Sequence, residues 1–123
     1  VVYRAVRQSD GLEVALKATE TLDDEAQAMA EKEFVTMSSI EHPHIIQALD
    51  FIFADQKAII VMEFFPGADL SRAVANEPCK RFAEESARRI LRQLLEAIVW
   101  LHERRVVHRD IKPENVLVSE DLR

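Results

Sequence analysis

Residues 108–115 read His-Arg-Asp-Ile-Lys-Pro-Glu-Asn, and the interpretation of the whole chain depends on this stretch. It combines an acid, two cations and an amide in one loop, which Pro113 stiffens in the middle. Asp110 can accept a hydroxyl proton, and Lys112 can neutralise a phosphoryl group during its transfer. The side-chain oxygen of Asn115 can ligate Mg²⁺, a cation that takes oxygen ligands. The same composition would also suit an ordinary charged loop, so the choice between a catalytic and an ordinary loop depends on the rest of the sequence.

A long amphipathic helix precedes this loop. Apolar residues recur at three- and four-residue steps over residues 84–104, which predicts a helix with a wide apolar face. Such a face requires packing partners on more than one side. Residues 70–76 predict a shorter helix, and Val106-Val107 a strand-like pair.

The first half of the chain has a different pattern, with short β-rich runs around one helix. A turn signal at Ser9-Asp10-Gly11 separates the first two runs, and Pro66-Gly67 lies in a predicted linker that covers residues 63–69. Strands are predicted at residues 1–6, 12–18, 47–53 and 57–62, with a helix at 22–40. Strands with one helix, then a linker and helices, predict an α+β fold in two unequal parts.

Glu33 lies in the predicted helix on the same face as several apolar residues. A carboxylate in an apolar stripe is costly unless it meets a cation, although at the edge of the stripe it would reach water. Lys17 is a candidate cation, because the alternation of Val14-Ala15-Leu16-Lys17 places Ala15 and Lys17 on one face of a strand. Opposite Glu33, Lys17 would be a fixed ammonium, and the small Ala15 would leave room for a flat ligand.

Taken together, these segments resemble the eukaryotic protein kinases, and we expect the serine/threonine type. Residues 108–115 match the catalytic-loop pattern H-R-D-x-K-P-x-N of that family. Residues 14–17 match its V-A-I-K strand, and Glu33 precedes His42-Pro43 as the family's ion-pair glutamate does. Lys112 and Pro113 favour serine or threonine over tyrosine as the acceptor.

The resemblance implies a set of site residues and two cofactors, ATP and Mg²⁺. Asp110, Lys112, Lys17 and Glu33 would be catalytic, and Asn115 would ligate Mg²⁺. The ATP-binding positions would be Val2, Ala15, Lys17, Met62, Glu63, Phe65, Asp69 and Leu117. Among these, Met62 would be the gatekeeper, Glu63 and Phe65 would offer backbone groups to adenine, and Asp69 would contact the ribose.

The resemblance also implies a two-lobe architecture, of which the chain would contain one part. Residues 1–62 would form the β-rich N-lobe, 63–69 the hinge, and 70–123 the first helices and catalytic loop of the C-lobe. The family's Gly-rich loop and everything from its Asp-Phe-Gly segment onward fall outside these residues, so we expect the 123 residues alone to be inactive. Arg105, where many relatives have glycine, and Ala83, where a helix N-cap oxygen is expected, are smaller departures.

Two functions from different classes remain open at this point. The first is a serine/threonine kinase that transfers the γ-phosphoryl group of ATP to a protein hydroxyl. The second is a truncated or pseudokinase module that binds nucleotide or a partner without transfer. Intact catalytic residues favour the first, and the missing segments favour the second. In either case the helix at 84–104 would need the rest of the C-lobe, or a partner, over its apolar face.

Composition sets further limits on function. With 22 acidic and 16 basic residues the net charge is -6, which disfavours nucleic acid and anionic membranes as partners. The single Cys79 rules out an internal disulfide and a cysteine cluster for zinc. The longest apolar run, residues 58–62, is far too short for a membrane span. We therefore expect an intracellular protein, cytoplasmic or nuclear.

Overall fold

A computed structural model of the chain describes residues 2–107 and 111–121. The chain divides into two units, residues 1–64 and 65–123. Strands dominate the first unit and helices the second, so the predicted α+β class is confirmed.

The first unit contains a four-stranded antiparallel sheet with strand order β1-β2-β4-β3. Its strands are β1 (Val2–Val6), β2 (Glu13–Glu20), β3 (Ala48–Ala54) and β4 (Lys57–Glu63). Asp55 and Gln56 join β3 to β4, and both have positive φ (52° and 60°), as a tight two-residue hairpin turn of this type requires. The central strand β4 supplies much of the core, since Ala58, Ile60 and Val61 are buried.

Helix α1 (Asp24–Ser38) begins where the sequence supplies a cap. The Asp23 side chain accepts a hydrogen bond from Ala26 N at 2.7 Å, which satisfies one of the free amides of the first turn. The helix packs on the sheet through Phe34, whose ring centroid lies 5.6 Å from that of Phe51. No residue of α1 is fully buried, and the apolar residues on the Glu33 side of the helix, Ala26, Ala30 and Met37, are half-buried. The aromatic contact covers one face and leaves the others open to solvent.

The second unit contains a two-stranded sheet and two α-helices. Strand β5 (Ala68–Asp69) pairs with β6 (Leu117–Val118), and helix α2 (Leu70–Asn76) follows β5 directly. Helix α3 (Glu84–Glu103) buries Ile90, Ala97 and Leu101. The apolar side chains exposed along α3 recur every four residues: Leu91, Leu95 and Val99. No helix in residues 2–107 or 111–121 is both long and apolar enough to span a membrane.

The C-terminal end of α3 explains why Val106-Val107 does not form the expected strand. Val106 N donates to Leu101 O at 2.9 Å, and Arg105 N donates to His102 O at 3.0 Å. This is the Schellman pattern, which satisfies the last carbonyls of a helix and needs a left-handed residue in its centre. Arg105 is that residue, with φ of 60°, and Val106 is therefore committed to the end of the helix.

Candidate functional site

Lys17 and Glu33 meet between strand β2 and helix α1. Lys17 Nζ lies 3.9 Å from Glu33 Oε1, and the two side chains are 46% and 55% exposed. The structure thus brings together the two charges that the sequence selected. An ion pair this exposed stabilises the fold by only about 0–1 kcal/mol. The pair therefore contributes little to stability, and its main effect is to hold the Lys17 ammonium group near Glu33.

One face of the sheet carries four of the residues predicted to contact a nucleotide. Val2 on β1 lies opposite Lys17, and Ala15 lies opposite Met62 on β4. Directly opposed residues, and residues two apart on a strand, project from the same face. Val2, Ala15, Lys17 and Met62 consequently share one face, with the smallest side chain between larger ones. A flat ring would find room beside Ala15.

At the end of β4, Glu63 and Gln47 form a contact that the sequence did not reveal. Glu63 N donates to Gln47 O at 3.0 Å, and Gln47 N donates to the Glu63 carboxylate oxygen Oε1 at 2.8 Å. Gln47 immediately precedes β3, and a single glutamine forms no sequence pattern from which this contact could have been predicted. Only the pairing of β3 with β4 brings it to the residue after Met62.

Arg4 is a second residue that the sequence analysis missed. Its guanidinium carbon lies 4.6 Å from the centroid of the Phe64 ring, and its Nη2 lies 2.6 Å from Glu13 Oε1. Arg4 projects from the same face as Val2 and Ala15, because it lies opposite Ala15 in the register of β1 and β2. Alternation along β1 could have placed Arg4 on this face, but its contact with Phe64 could be seen only in the folded chain. The contact joins β1 to the segment that follows β4.

In the second unit, Asp69 and Leu117 lie opposite each other in the pairing of β5 with β6. The Asp69 carboxylate caps α2, since Oδ1 accepts from Arg72 N at 3.0 Å and Oδ2 lies 3.4 Å from Arg72 Nε. The residue predicted to contact a ribose therefore also begins a helix. Leu117 is exposed, at 43%, so its side chain is accessible within this unit.

The loop that begins at Ile111 contains two further predicted residues, Lys112 and Asn115. Asn115 ends a 3₁₀ turn, Pro113–Asn115, and its N–H donates to Lys112 O at 2.9 Å. Asp110, the predicted catalytic acid, lies outside the described residues. In the described ranges, no group of three or more His, Cys, Asp or Glu side chains could hold a metal ion. Asn115 supplies one oxygen ligand of the type that suits Mg²⁺.

Comparison with known families identifies the family to which these residues belong. The model of the protein kinase domain matches residues 1–123. The chain belongs to the protein kinase family. The kinase catalytic-loop and V-A-I-K-like segments both lie inside the matched range.

Serine/threonine kinases are among the relatives that this kinase chain resembles. It is 36% identical to the serine/threonine-protein kinase ULK3 of Mus musculus, over 96% of the chain and 25% of that protein. It is 37% identical to cell division control protein 2 homolog 3 of Trypanosoma brucei brucei, over 98% of the chain and 39% of that protein. A probable myosin light chain kinase of Dictyostelium discoideum is 35% identical over 90% of the chain and 23% of that protein. The chain thus spans well under half the length of these curated relatives.

Solved kinase structures share the fold. Rad53 1-466 in complex with AMP-PNP superposes with a TM-score of 0.85 at 30% identity, over 98% of this chain and 31% of that one. The twitchin kinase fragment of C. elegans gives a TM-score of 0.85 at 30% identity, over 96% of this chain and 26% of that one. The kinase-like fold expected from the sequence is confirmed.

Proposed function

We propose that the protein containing this chain transfers the γ-phosphoryl group of ATP to serine or threonine hydroxyls of protein substrates. The observation that carries the proposal is the pairing of Lys17 with Glu33 at 3.9 Å, beside a sheet face formed by Val2, Ala15 and Met62. Relatives named as serine/threonine kinases support the acceptor class. A similar structure solved with AMP-PNP supports an adenine nucleotide as the donor.

In this proposal each unit contributes its own part of the site. The first unit holds the nucleotide: Lys17 anchors phosphate oxygens, and Glu33 fixes the lysine. Residues 63–69 act as the hinge between an N-lobe at 1–62 and the C-lobe residues from 70 onward, with backbone groups of Glu63 and Phe65 meeting the base. Asp69 and Leu117, opposite each other in the second unit, complete the nucleotide contacts. An intracellular location stays a prediction.

The chemistry itself falls to the loop that contains Asp110. Asp110 accepts the proton of the substrate hydroxyl, and Lys112 neutralises charge that develops on the phosphoryl group. Mg²⁺, when bound with ATP, shields the charge of the phosphates, and Asn115 fits it as one oxygen ligand. The described residues offer no complete metal cage, so the ion would be held jointly with the nucleotide.

The test measures binding and transfer separately in the full-length protein. We expect Mg·ATP to bind and a serine/threonine peptide to be phosphorylated. Asp110→Asn should lower the transfer rate by roughly 10²–10⁴-fold and leave ATP affinity unchanged, since the base is lost and the nucleotide contacts remain. Asp55→Asn is the matched control, because Asp55 is exposed in a turn where asparagine also tolerates positive φ.

The possible outcomes separate the hypotheses. Wild-type turnover in Asp110→Asn would show that Asp110 is not the base. Nucleotide binding without any transfer would favour the pseudokinase alternative. A wild-type protein that binds no adenine nucleotide would overturn the proposed function altogether.

A further inference from the structure

A cluster of Arg4, Glu13 and Phe64 lies at one end of the sheet face that carries the predicted nucleotide residues. Arg4 lies opposite Ala15 in the register of β1 and β2, and Glu13 is two residues from Ala15 on β2, so all three project from that face. Lys17 projects from the same face farther along β2, about 13 Å from Glu13 at roughly 3.3 Å per residue. The cluster is therefore remote from the proposed phosphate end of the face and adjoins its base end, beside Ala15.

The guanidinium group of Arg4 makes two contacts at once. Its Nη2 lies 2.6 Å from Glu13 Oε1, and its Cζ lies 4.6 Å from the centroid of the Phe64 ring. Because a guanidinium is planar, its edge can donate to a carboxylate while its face covers an aromatic ring. The side chains of Arg4 and Glu13 are 62% and 46% exposed, so their ion pair adds little to stability. Its effect is on conformation, since it restricts the long side chain of Arg4 to a position over Phe64.

Phe64 lies where the regular pairing of the sheet ends. The register of β2 with β4 runs to Val14 opposite Glu63, and Phe64 is the next residue. Segments beyond the end of a hydrogen-bonded ladder open more readily than the strands themselves, so side-chain contacts contribute more to their position. Strand β2 lies between β1 and β4 in the sheet, so the side chain of Arg4 reaches across β2 to the half-buried ring of Phe64.

We infer that Arg4 is a positioning residue for nucleotide binding: held by Glu13, its guanidinium group covers Phe64 and keeps the chain that leaves β4 beside the base end of the sheet face. The inference rests on the proposed function and deepens it, because it assigns to the base end of the site a cation that does not contact phosphate. A contact that orders a binding segment in advance raises affinity, since less conformational freedom is lost on binding. Arg4 should therefore affect binding of the adenosine part of the ligand and leave the transfer step unchanged.

The experiment compares a ligand that contains the phosphates with one that lacks them. Dissociation constants for Mg·ATP and for adenosine are measured on the full-length protein and on its Arg4→Ala variant. Loss of a cation–π contact at an exposed site should weaken binding of both ligands by the same factor, about twofold to fivefold. KM for ATP should rise by that factor with kcat unchanged, because the groups that act in transfer are untouched. Lys17→Met, at the phosphate end, should weaken binding of ATP and leave binding of adenosine unchanged.

Matched variants test the contact itself. Phe64→Leu removes the ring, and in that background Arg4→Ala should cause no further loss of affinity. Arg4→Lys keeps a cation within reach of the ring and should retain most of the affinity. Arg7→Ala removes another arginine of the β1–β2 hairpin from an ion pair, with Asp10, and should change neither dissociation constant. If Arg4→Ala does not fold, Phe64→Leu removes the same contact from its other side and serves the same comparison of the two ligands.

Each result has a distinct meaning. A wild-type protein that binds neither ATP nor adenosine overturns the proposed function, and with it the basis of this inference. Weaker binding of ATP but not of adenosine in Arg4→Ala would make Arg4 a phosphate contact and overturn the inference alone. An Arg4→Ala variant that keeps the wild-type affinities, or one that loses kcat together with thermal stability, would overturn it as well.

Discussion

The backbone of Val118 passes directly over the α-carbon of Gly67. A β-carbon at Gly67 would overlap the carbonyl oxygen of Val118, and it would lie 2.9 Å from Cε1 of Phe65. This approach accompanies the pairing of β5 with β6, in which Ala68 lies opposite Val118. Glycine is required here because two stretches of backbone meet, and the obstacle is main chain that cannot rotate away as a side chain could.

Gly67→Ala should therefore destabilise the protein by about 1–3 kcal/mol, the usual cost of forcing extra atoms into a packed site. Chemical denaturation of wild type and variant measures the difference. Gly11→Asn is the control, since Gly11 has φ of 76° and no atom within 4 Å of its added β-carbon. Asparagine tolerates that backbone, so Gly11→Asn should change stability little. A Gly67→Ala variant as stable as wild type would contradict the predicted clash.

Arg105 offers the opposite change, from a strained residue to glycine. Its φ of 60° lies in the left-handed region, which costs a residue with a β-carbon about 1–2 kcal/mol relative to glycine. We expect Arg105→Gly to stabilise the protein by up to that amount, as measured by thermal unfolding. Arg104→Gly should destabilise it, because the Arg104 guanidinium lies 3.7 Å from the Trp100 ring centroid and donates to Trp100 O. If Arg105→Gly and Arg104→Gly changed stability equally, the left-handed conformation of Arg105 would not be a source of strain.

Lys17→Met should separate function from stability. Removing a fixed cation that meets phosphate oxygens should lower phosphoryl transfer by at least roughly 10²-fold. The free energy of unfolding should change by no more than about 1 kcal/mol, because the pair with Glu33 is half exposed. Arg88→Met removes another exposed ion pair, with Glu84, and should leave transfer intact. Transfer at the wild-type rate in Lys17→Met would argue against the phosphate-anchoring role.

Asp10 should make the β1–β2 turn sensitive to acid. The hydrogen bond from the Arg7 side chain, and a second from Leu12 N, lower the pKa of Asp10 from 3.8 to about 2. Because the folded pKa lies below the unfolded one, the stability that the carboxylate contributes is present above pH 3.8 and is lost as the pH falls towards 2. NMR titration of the Asp10 carboxyl group should show the low pKa. Asp10→Asn should lack this part of the acid dependence, and a carboxyl that titrates near 3.8 would contradict the turn geometry.

Much of the local structure could be predicted because its causes are local. Helix α2 was expected at residues 70–76 and is found there, since Asp69 in the sequence supplies its N-cap. The helix predicted at 84–104 ends one residue earlier, at Glu103, where the Schellman motif begins. Ala83 provides no side-chain cap for α3, as its apolar side chain indicates. The predicted linker at 63–69, by contrast, contains strand β5, which exists only because β6 from a distant part of the chain pairs with it.

The sequence by itself determined the chemical inventory and the periodicities: the family's motifs, the alternation that places Ala15 and Lys17 on one face, and the turns and helices between them. These depend on residue type and spacing, which are fixed before the chain folds. Only the tertiary structure decided which distant groups meet. It brought Gln47 N–H to the carboxylate of Glu63, and it left Glu33 half exposed beside Lys17. Strand register and the direction of packing set such contacts, and a strand pattern of period two leaves the choice of partner strand open.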